Sequence, residues 1–154
     1  MMQKPLEFSI LTMMSVKPYK LDPELDVTLP VYASRISAGF PSPADDFLEG
    51  SLDLNAHLIQ NKAATFIVRA SGESMIGAGI YPNDLLLVDR SITPKSGHVV
   101  IACVQGELLV KRLYKSKNRI ELRAENKDFK AIVINDSDEF FVWGVVTSVI
   151  HSLK

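Results

Sequence analysis

A serine in a glycine-rich loop is the first residue of this chain that can do chemistry. In RASGESMIGAGI, at 69–80, a strand-like start runs into a loop in which three glycines surround Ser74. Glycine lets the backbone turn sharply and leaves N–H groups free to face a developing oxyanion, as acyl transfer requires. A serine in such a loop is more often only a turn residue, so the loop defines no more than a candidate nucleophile.

A lysine inside an apolar run is the second candidate. In GELLVKRLY, strand alternation puts Lys111 on one face together with Leu109 and Leu113. Such a lysine commonly extends its ammonium group from a strand edge into the solvent. The alternative is a buried amine, whose pKa would have to fall from about 10.4 toward 7, at roughly 4 kcal/mol. A neutral amine of that kind can accept a serine proton.

Seven apolar or β-branched runs are predicted to be the strands that position these two residues. Turn-forming pairs of Pro, Asn, Ser and Gly separate the runs, so the predicted fold class is mainly β with antiparallel strands. One short helix is predicted around Leu54 and Leu58, which lie four residues apart, with Asp53 as its N-cap. The predicted strands are 64–70, 84–89, 98–104, 107–114, 119–124, 131–134 and 140–150.

The first 38 residues differ from the rest in composition. Four prolines interrupt them and no helical period is sustained, so extended or flexible backbone is the simplest interpretation. We therefore predict a flexible N-terminal arm at 1–38 and one β-rich domain at 39–154. The small residues Ala38 and Gly39 lie at the junction, inside the proline-containing segment RISAGFPSPADDF.

Composition argues against several classes of protein. The chain has 154 residues and a formal net charge of −1, so it has no overall charge excess that attracts nucleic acid or an anionic membrane. No run approaches the roughly 18 apolar residues of a membrane span, and we expect a soluble cytoplasmic protein. The single Cys103 is predicted to pack in the core. His57, His98 and His151 are scattered, so no metal site is expected.

Taken together, these features resemble the LexA/UmuD self-cleaving serine peptidases. The resemblance rests on Ser-Gly-Glu-Ser-Met around Ser74, on VKRL around Lys111 and on the upstream Ala-Gly pair. It extends toward the C-terminus through GFPSPADD, which is similar to the UmuD branch, and through DLNAHLIQ, PNDLLLVD, DRSITPKSGHVVIA and VWGVV. It implies a mainly β peptidase fold without a cofactor. It also implies that Ser74 is the nucleophile, that Lys111 is the general base and that the chain cuts its own Ala38–Gly39 bond.

The same resemblance implies partners. It implies that the RecA filament on single-stranded DNA, formed after DNA damage, stimulates the cut. The 39–154 product then forms a homodimer and joins a UmuC-type Y-family DNA polymerase in an error-prone complex that copies past lesions. We expect neither membrane attachment nor sequence-specific DNA binding by this chain. The run at 140–150 around Trp143 is interpreted as a core strand that also forms the dimer edge.

Three alternatives stay open on the sequence alone. A self-cleaving repressor of the LexA type needs a helix-turn-helix, for which the proline-interrupted first 38 residues are expected to leave no room. A leader-peptide processing enzyme with the same dyad needs a membrane anchor, for which no apolar run is long enough. A non-catalytic interaction module keeps the fold without the reaction, and self-cleavage of the purified chain distinguishes it.

Overall fold

The computed structural model describes residues 19–20, 28–32 and 48–154. The chain divides into two compact units, one of residues Asp22–Gln60 and one of Met1–Leu21 with Asn61–Lys154. In chain order, the described elements are β1 (Tyr19–Lys20), β2 (Thr28–Tyr32), β3 (Leu48–Asp53), helix α1 (Leu54–Leu58), β4 (Thr65–Arg69), a 3-10 helix (Ile76–Ala78), β5 (Leu85–Asp89), β6 (Val99–Val104), β7 (Glu107–Ser116), β8 (Arg119–Arg123), β9 (Ile132–Ile134) and β10 (Phe140–Ile150).

The smaller unit contains a β-hairpin followed by the α-helix. Strands β2 and β3 pair antiparallel, with Thr28 opposite Asp53. The Asp53 carboxylate accepts a hydrogen bond from the backbone N–H of Ala56 at 3.1 Å, which satisfies a donor that the first helical turn leaves unpaired. The predicted helix and its N-cap are therefore confirmed.

Three strands were not predicted from the sequence. Strand β3 has the sequence LEGSLD, whose glycine and two carboxylates are poor strand formers. Strands β1 and β2 lie within the predicted arm, where the prolines mask any alternation. Strand β1 pairs with β4, which is distant in sequence, and β2 pairs with β3 across the long connection at 33–47. Their pairing, rather than local propensity, defines them.

The larger unit is built on one eight-stranded antiparallel sheet, in the order β1-β4-β5-β10-β6-β7-β8-β9. The seven predicted strands correspond to β4–β10, and each bound lies within about two residues of its predicted position. The mainly β fold class is confirmed. The turn between β6 and β7 is held by Gln105 and Gly106, both with positive φ, as a tight hairpin requires.

Hydrophobic side chains pack on both faces of the sheet. In β6, Val100 and Ala102 belong to a cluster with Leu113 and Leu122, whereas Ile101 belongs to the other cluster. This division follows from the two-residue period of a strand, which sends neighbouring side chains to opposite faces. The second cluster includes Val68, Ala70, Met75, Ile80, Leu86, Val88, Ile101 and Trp143. It lies beneath the loop that carries Ser74.

Strand β10 is central in the sheet, and its two halves pair with different neighbours. Phe140–Val145 pairs with β6, and Val145–Ile150 pairs with β5. Trp143 is buried in the first half, in agreement with the predicted core role. Along Val146–Ile150, the backbone edge that faces away from β5 has no partner among the described strands.

Glycine at position 144 allows β10 to lie close to β5. A Cβ atom at Gly144 would meet Val88 Cγ1 at 2.5 Å and Arg90 Cγ at 3.3 Å. We expect Gly144→Ala to lower the free energy of unfolding by about 1–3 kcal/mol, because the core would be overpacked. Urea unfolding measures this change. The cost should be smaller when Val88→Ala is also present, and equal costs in both backgrounds would contradict the proposed clash.

The single cysteine of the chain lies in the core. The Cys103 thiol is buried and free, and burial raises its pKa, which fits the predicted packing role. Among the described residues, no group of three or more His, Cys, Asp or Glu side chains is arranged to hold a metal ion. The described part of the chain has no helix that is long and apolar enough to cross a membrane.

Candidate active site

Ser74 lies in the loop that connects β4 to the short 3-10 helix. Gly72 and Gly79 both have a φ of 77°, a left-handed conformation that favours glycine, and they let the loop turn sharply at each end. Between them, Met75 is only 2% exposed and anchors the loop in the core. Ser74 itself is half-buried beside this anchor. Met75 thus attaches the loop to the core, and the loop in turn positions the serine hydroxyl.

Lys111 projects from the middle of β7 toward this serine. Its strand pairs with β6, and Lys111 and Leu113 are the buried residues of β7. Lys111 Nζ lies 2.7 Å from Ser74 Oγ, a hydrogen-bonding distance. The structure therefore brings together the two residues that the sequence analysis selected as a pair, although they are distant in the chain.

The Lys111 amine is held away from water. The residue is 8% exposed, and burial lowers the pKa of its amine from the ordinary value of 10.5. Among the described residues, no carboxylate oxygen lies within 4.0 Å of Nζ to stabilise the ammonium form. The structure thus favours the buried amine over a lysine that extends to the solvent. Deprotonated Lys111 is the form that can accept the Ser74 proton.

The pair borders an apolar cleft of about 230 Å³. Exposed Phe129 forms part of its rim. The backbone N–H groups of Ser74 and Met75 donate to no acceptor within the described residues, and so they are available to a negatively charged oxygen. The apolar walls are formed by Val68, Ala70, Ile80, Ile101, Leu108, Val110 and Trp143.

A second segment, formed by Glu125 and Asn126 after β8, makes hydrogen bonds to the serine loop, and we call it the clamp. The Glu125 N–H donates to the Ser74 carbonyl at 2.9 Å, and the Glu125 carbonyl accepts from Gly77 N at 2.7 Å. The Asn126 side-chain amide donates to the Glu73 carbonyl at 2.9 Å. Together these three bonds fix the backbone on both sides of the nucleophile. The clamp also requires a glycine at position 77, because a Cβ there would lie 2.5 Å from the Glu125 carbonyl oxygen.

The Glu125 carboxylate links the clamp to the strand that carries the lysine. Arg112 Nε donates to Glu125 Oε1 at 2.5 Å, and Arg112 also donates to the Gly97 carbonyl at 2.7 Å. Arg112 follows Lys111 directly, so one strand supplies both the amine and the anchor of the clamp. Glu125 and Asn126 were not predicted from the sequence. The close approach at Gly77 is a constraint that only the tertiary contact reveals.

We expect Asn126→Ala to slow the proposed self-cleavage by about tenfold. The substitution removes the bond to the Glu73 carbonyl and lets Ser74 Oγ drift from its position, whereas the backbone bonds of Glu125 remain. The measurement is the rate at which the intact chain disappears. Asn135→Ala, in an exposed turn, serves as the control and should cleave normally. An Asn126→Ala rate equal to that of the unmutated chain would contradict the positioning role of this side chain.

The candidate scissile residues Ala38 and Gly39 lie outside the described residues. They belong to the connection at 33–47 that follows β2 and precedes β3. Their cleavage therefore stays a prediction, as does the division of the chain at this bond.

Burial of Lys111 also predicts a pH dependence of stability. Because its pKa is lower in the folded chain than the ordinary value of 10.5, the unfolded chain binds more protons between these two pKa values. The free energy of unfolding should therefore rise with pH across that window. In a Ser74→Ala background, Lys111→Met should show a smaller rise in urea unfolding at a series of pH values. Parallel curves for the two chains would contradict this prediction.

The fold and the site together define a class of protein: a β-rich chain with a serine and a buried lysine in contact at an apolar cleft. Serine hydrolases that use an amine as general base need this arrangement. The chain belongs to the Peptidase S24-like family, whose sequence model matches residues 30–147. The resemblance to the LexA/UmuD peptidases is confirmed.

Individual relatives cover most of the chain. It is 46% identical over 126 residues to Protein ImpA of Escherichia coli, a match that covers 81% of this chain and 85% of that protein. It is 42% identical over 127 residues to Protein MucA of Escherichia coli, covering 82% and 84%. It is 37% identical over 101 residues to the LexA repressor of Clostridium kluyveri, covering 66% of this chain and 50% of the repressor.

Proposed function

We propose that this chain is a self-cleaving serine peptidase that cuts its own Ala38–Gly39 bond, with Ser74 as nucleophile and Lys111 as general base. The observation that carries the proposal is the 2.7 Å contact between Ser74 Oγ and the amine of Lys111, which burial keeps at a lowered pKa. Membership of the Peptidase S24-like family supports the same reaction.

The proposed mechanism follows from the position of each group. Neutral Lys111 accepts the Ser74 proton while Oγ attacks the Ala38 carbonyl carbon, and the new oxyanion is held by the N–H groups of Ser74 and Met75. The protonated lysine then returns the proton to the departing Gly39 amine, and the peptide bond breaks. Water, deprotonated by Lys111, hydrolyses the acyl-enzyme and restores Ser74.

A bond within the same chain is a suitable substrate for this site. The connection at 33–47 is covalently attached to the peptidase, so the reaction has a high effective concentration without a large recognition surface. Ala38 and Gly39 have minimal side chains, which lets the scissile carbonyl approach Ser74 without steric conflict. The apolar cleft beside Ser74 provides space for the neighbouring residues of the substrate.

The proposed role of the reaction is in the SOS response to DNA damage, in the cytoplasm. RecA filaments on single-stranded DNA stimulate the cut by favouring the arrangement in which the bond is docked at Ser74. The 39–154 product acts as a homodimer with a UmuC-type Y-family polymerase during error-prone synthesis past lesions. Similarity to ImpA and MucA supports this role. The open backbone edge of Val146–Ile150 supports a strand-paired dimer.

RecA stimulation provides the test of this role. The purified chain is incubated at neutral pH with RecA, single-stranded DNA and a nucleoside triphosphate, and the intact chain is followed by gel electrophoresis. We expect at least tenfold faster cleavage than without the filament, and no such effect when DNA is omitted. Self-cleavage that is indifferent to the filament would contradict the SOS role but would leave the peptidase assignment intact.

A further inference from the structure

One edge of the eight-stranded sheet is covered by a strand from the N-terminal segment. Strand β1 pairs antiparallel with β4, with Tyr19 opposite Ile67 and Lys20 opposite Phe66. On its other side, β4 pairs with β5 along its whole length, from Thr65 to Arg69. Only β1 therefore separates the outer backbone edge of β4 from a new strand, within the part of the chain that the structure describes.

Within the described residues, this cover is incomplete. Strand β1 pairs with two of the five residues of β4. It begins directly after Pro18, which has no backbone N–H to donate to a sheet and would otherwise lie opposite Val68. A longer extended segment without proline could pair with all five residues. Among the described residues, the outer edge of β4 is therefore paired along only two of its five residues.

The cut at Ala38–Gly39 would change this competition, and the inference rests on that proposed function. Residues 19–20 lie before the bond, so cleavage would separate β1 from β4 covalently. While attached, β1 returns to β4 at an effective concentration on the order of millimolar. Once detached, it competes only at its actual concentration. The same two residue pairs would then be easily displaced.

We propose that the β4 edge, residues Thr65–Arg69, is a docking site for an extended segment of a partner protein, which β1 blocks until self-cleavage releases it. The segment adds to the sheet as an antiparallel strand of about five residues without proline. Exposed Arg69 favours an acidic residue opposite it, and Ile67 favours a β-branched or aromatic one.

A second copy of this chain fits the β4 edge less well. A two-fold antiparallel pairing of two β4 edges, centred on Ile67, would place Arg69 opposite Thr65, which offers it no negative charge. A different protein, with an acidic residue opposite Arg69 in its extended segment, is therefore the occupant that charge favours.

The test uses a fluorescein-labelled peptide of residues 16–22 in which Pro18 is replaced by valine. It should bind the self-cleaved chain, after removal of the released arm, at least tenfold more tightly than the uncut Ser74→Ala chain. The same peptide with Lys20→Pro is the matched control and should bind neither. Amide exchange at residues 65–69 should be faster in the cleaved chain, whereas exchange in β8 should be unchanged, as expected if the core stays folded.

A second pair of chains separates this inference from the proposed peptidase activity. In the uncut Ser74→Ala background, Tyr19→Pro with Lys20→Pro removes the donors of β1, whereas Glu24→Pro changes a position outside both described arm strands. The first chain should bind the peptide like the cleaved protein and the second should not, whether or not the unmutated chain cuts itself.

The docking site would be overturned if chains that keep β1 on β4 and chains that lack it bound the peptide equally well, or if no chain bound it. If a chain that lacks β1 on β4 formed assemblies larger than a dimer, and the peptide reversed this, a second copy would be shown to occupy β4. That result would overturn the choice of a partner protein. Absence of self-cleavage in the unmutated chain, with the proline variants behaving as expected, would contradict the proposed function alone.

Discussion

Ser74→Ala is expected to abolish conversion of the chain to the 39–154 fragment, a loss of at least about 10³-fold in rate. The substitution removes the oxygen that lies 2.7 Å from Lys111 Nζ and leaves the glycine turns and the buried Met75 in place. Without Oγ no acyl-enzyme can form, and only slow uncatalysed hydrolysis remains. The measurement is the fraction of intact chain over time, by gel electrophoresis.

Ser71→Ala is the matched control for this prediction. Ser71 is exposed in the same loop and lines the same cleft, but the hydrogen bond of Lys111 is to Ser74 and not to Ser71. The Ser71→Ala chain should cleave at close to the unmutated rate. Fragment formation by Ser74→Ala at a rate similar to that of Ser71→Ala would show that another residue is the nucleophile.

Replacement of Lys111 should be nearly as damaging, and even its charge-conserving replacement should fail. Lys111→Ala removes the base. Lys111→Arg retains a cation that does not lose its proton in proteins and so cannot accept one from Ser74. Both chains should cleave at least about 10³-fold more slowly, because the serine hydroxyl is a weak nucleophile when no base is present. Lys115→Ala, at an exposed position of the same strand, provides the control.

The pH profile of the unmutated chain gives the same prediction a second readout. Because burial lowers the pKa of Lys111, half of the amine is already neutral at a pH below the ordinary lysine pKa of 10.5. The cleavage rate should rise with pH through the lowered pKa and then level off. A profile whose midpoint lies at or above pH 10.5, or substantial cleavage by Lys111→Arg, would contradict the role of a desolvated lysine base.

Much of the fold could be predicted because its strands carry local signals. Strands β4–β10 are rich in β-branched and apolar residues and are bounded by Gly, Pro, Asn or Ser, and each was located within about two residues. Asp53 marks the start of α1 because a side-chain acceptor at that position satisfies the first helical N–H groups. Strand alternation left two alternatives for Lys111, a buried amine or an amine that extends into the solvent. Only the packing around it in the folded chain, which leaves it 8% exposed, decides between them.

The parts that could not be predicted depend on contacts between distant segments. Strand β1 has two residues and exists through its pairing with β4. Glu125 and Asn126 follow β8 and show no periodic pattern, yet their hydrogen bonds hold the backbone around Ser74. Such roles arise from backbone geometry, which residue types alone do not encode. The same hydrogen bonds constrain the backbone of the serine loop, whose sequence is rich in glycine.

Intact-mass analysis of the purified, unmutated chain during incubation at mildly alkaline pH measures self-cleavage and locates the bond that is cut. We expect the full-length mass to be replaced by two products, residues 1–38 and the 116-residue fragment that begins at Gly39. Neither product should appear with Ser74→Ala or Lys111→Ala. A chain that stays intact even with RecA, single-stranded DNA and nucleotide, or that is cut at a different bond, would show that Ser74 and Lys111 do not cleave the Ala38–Gly39 bond.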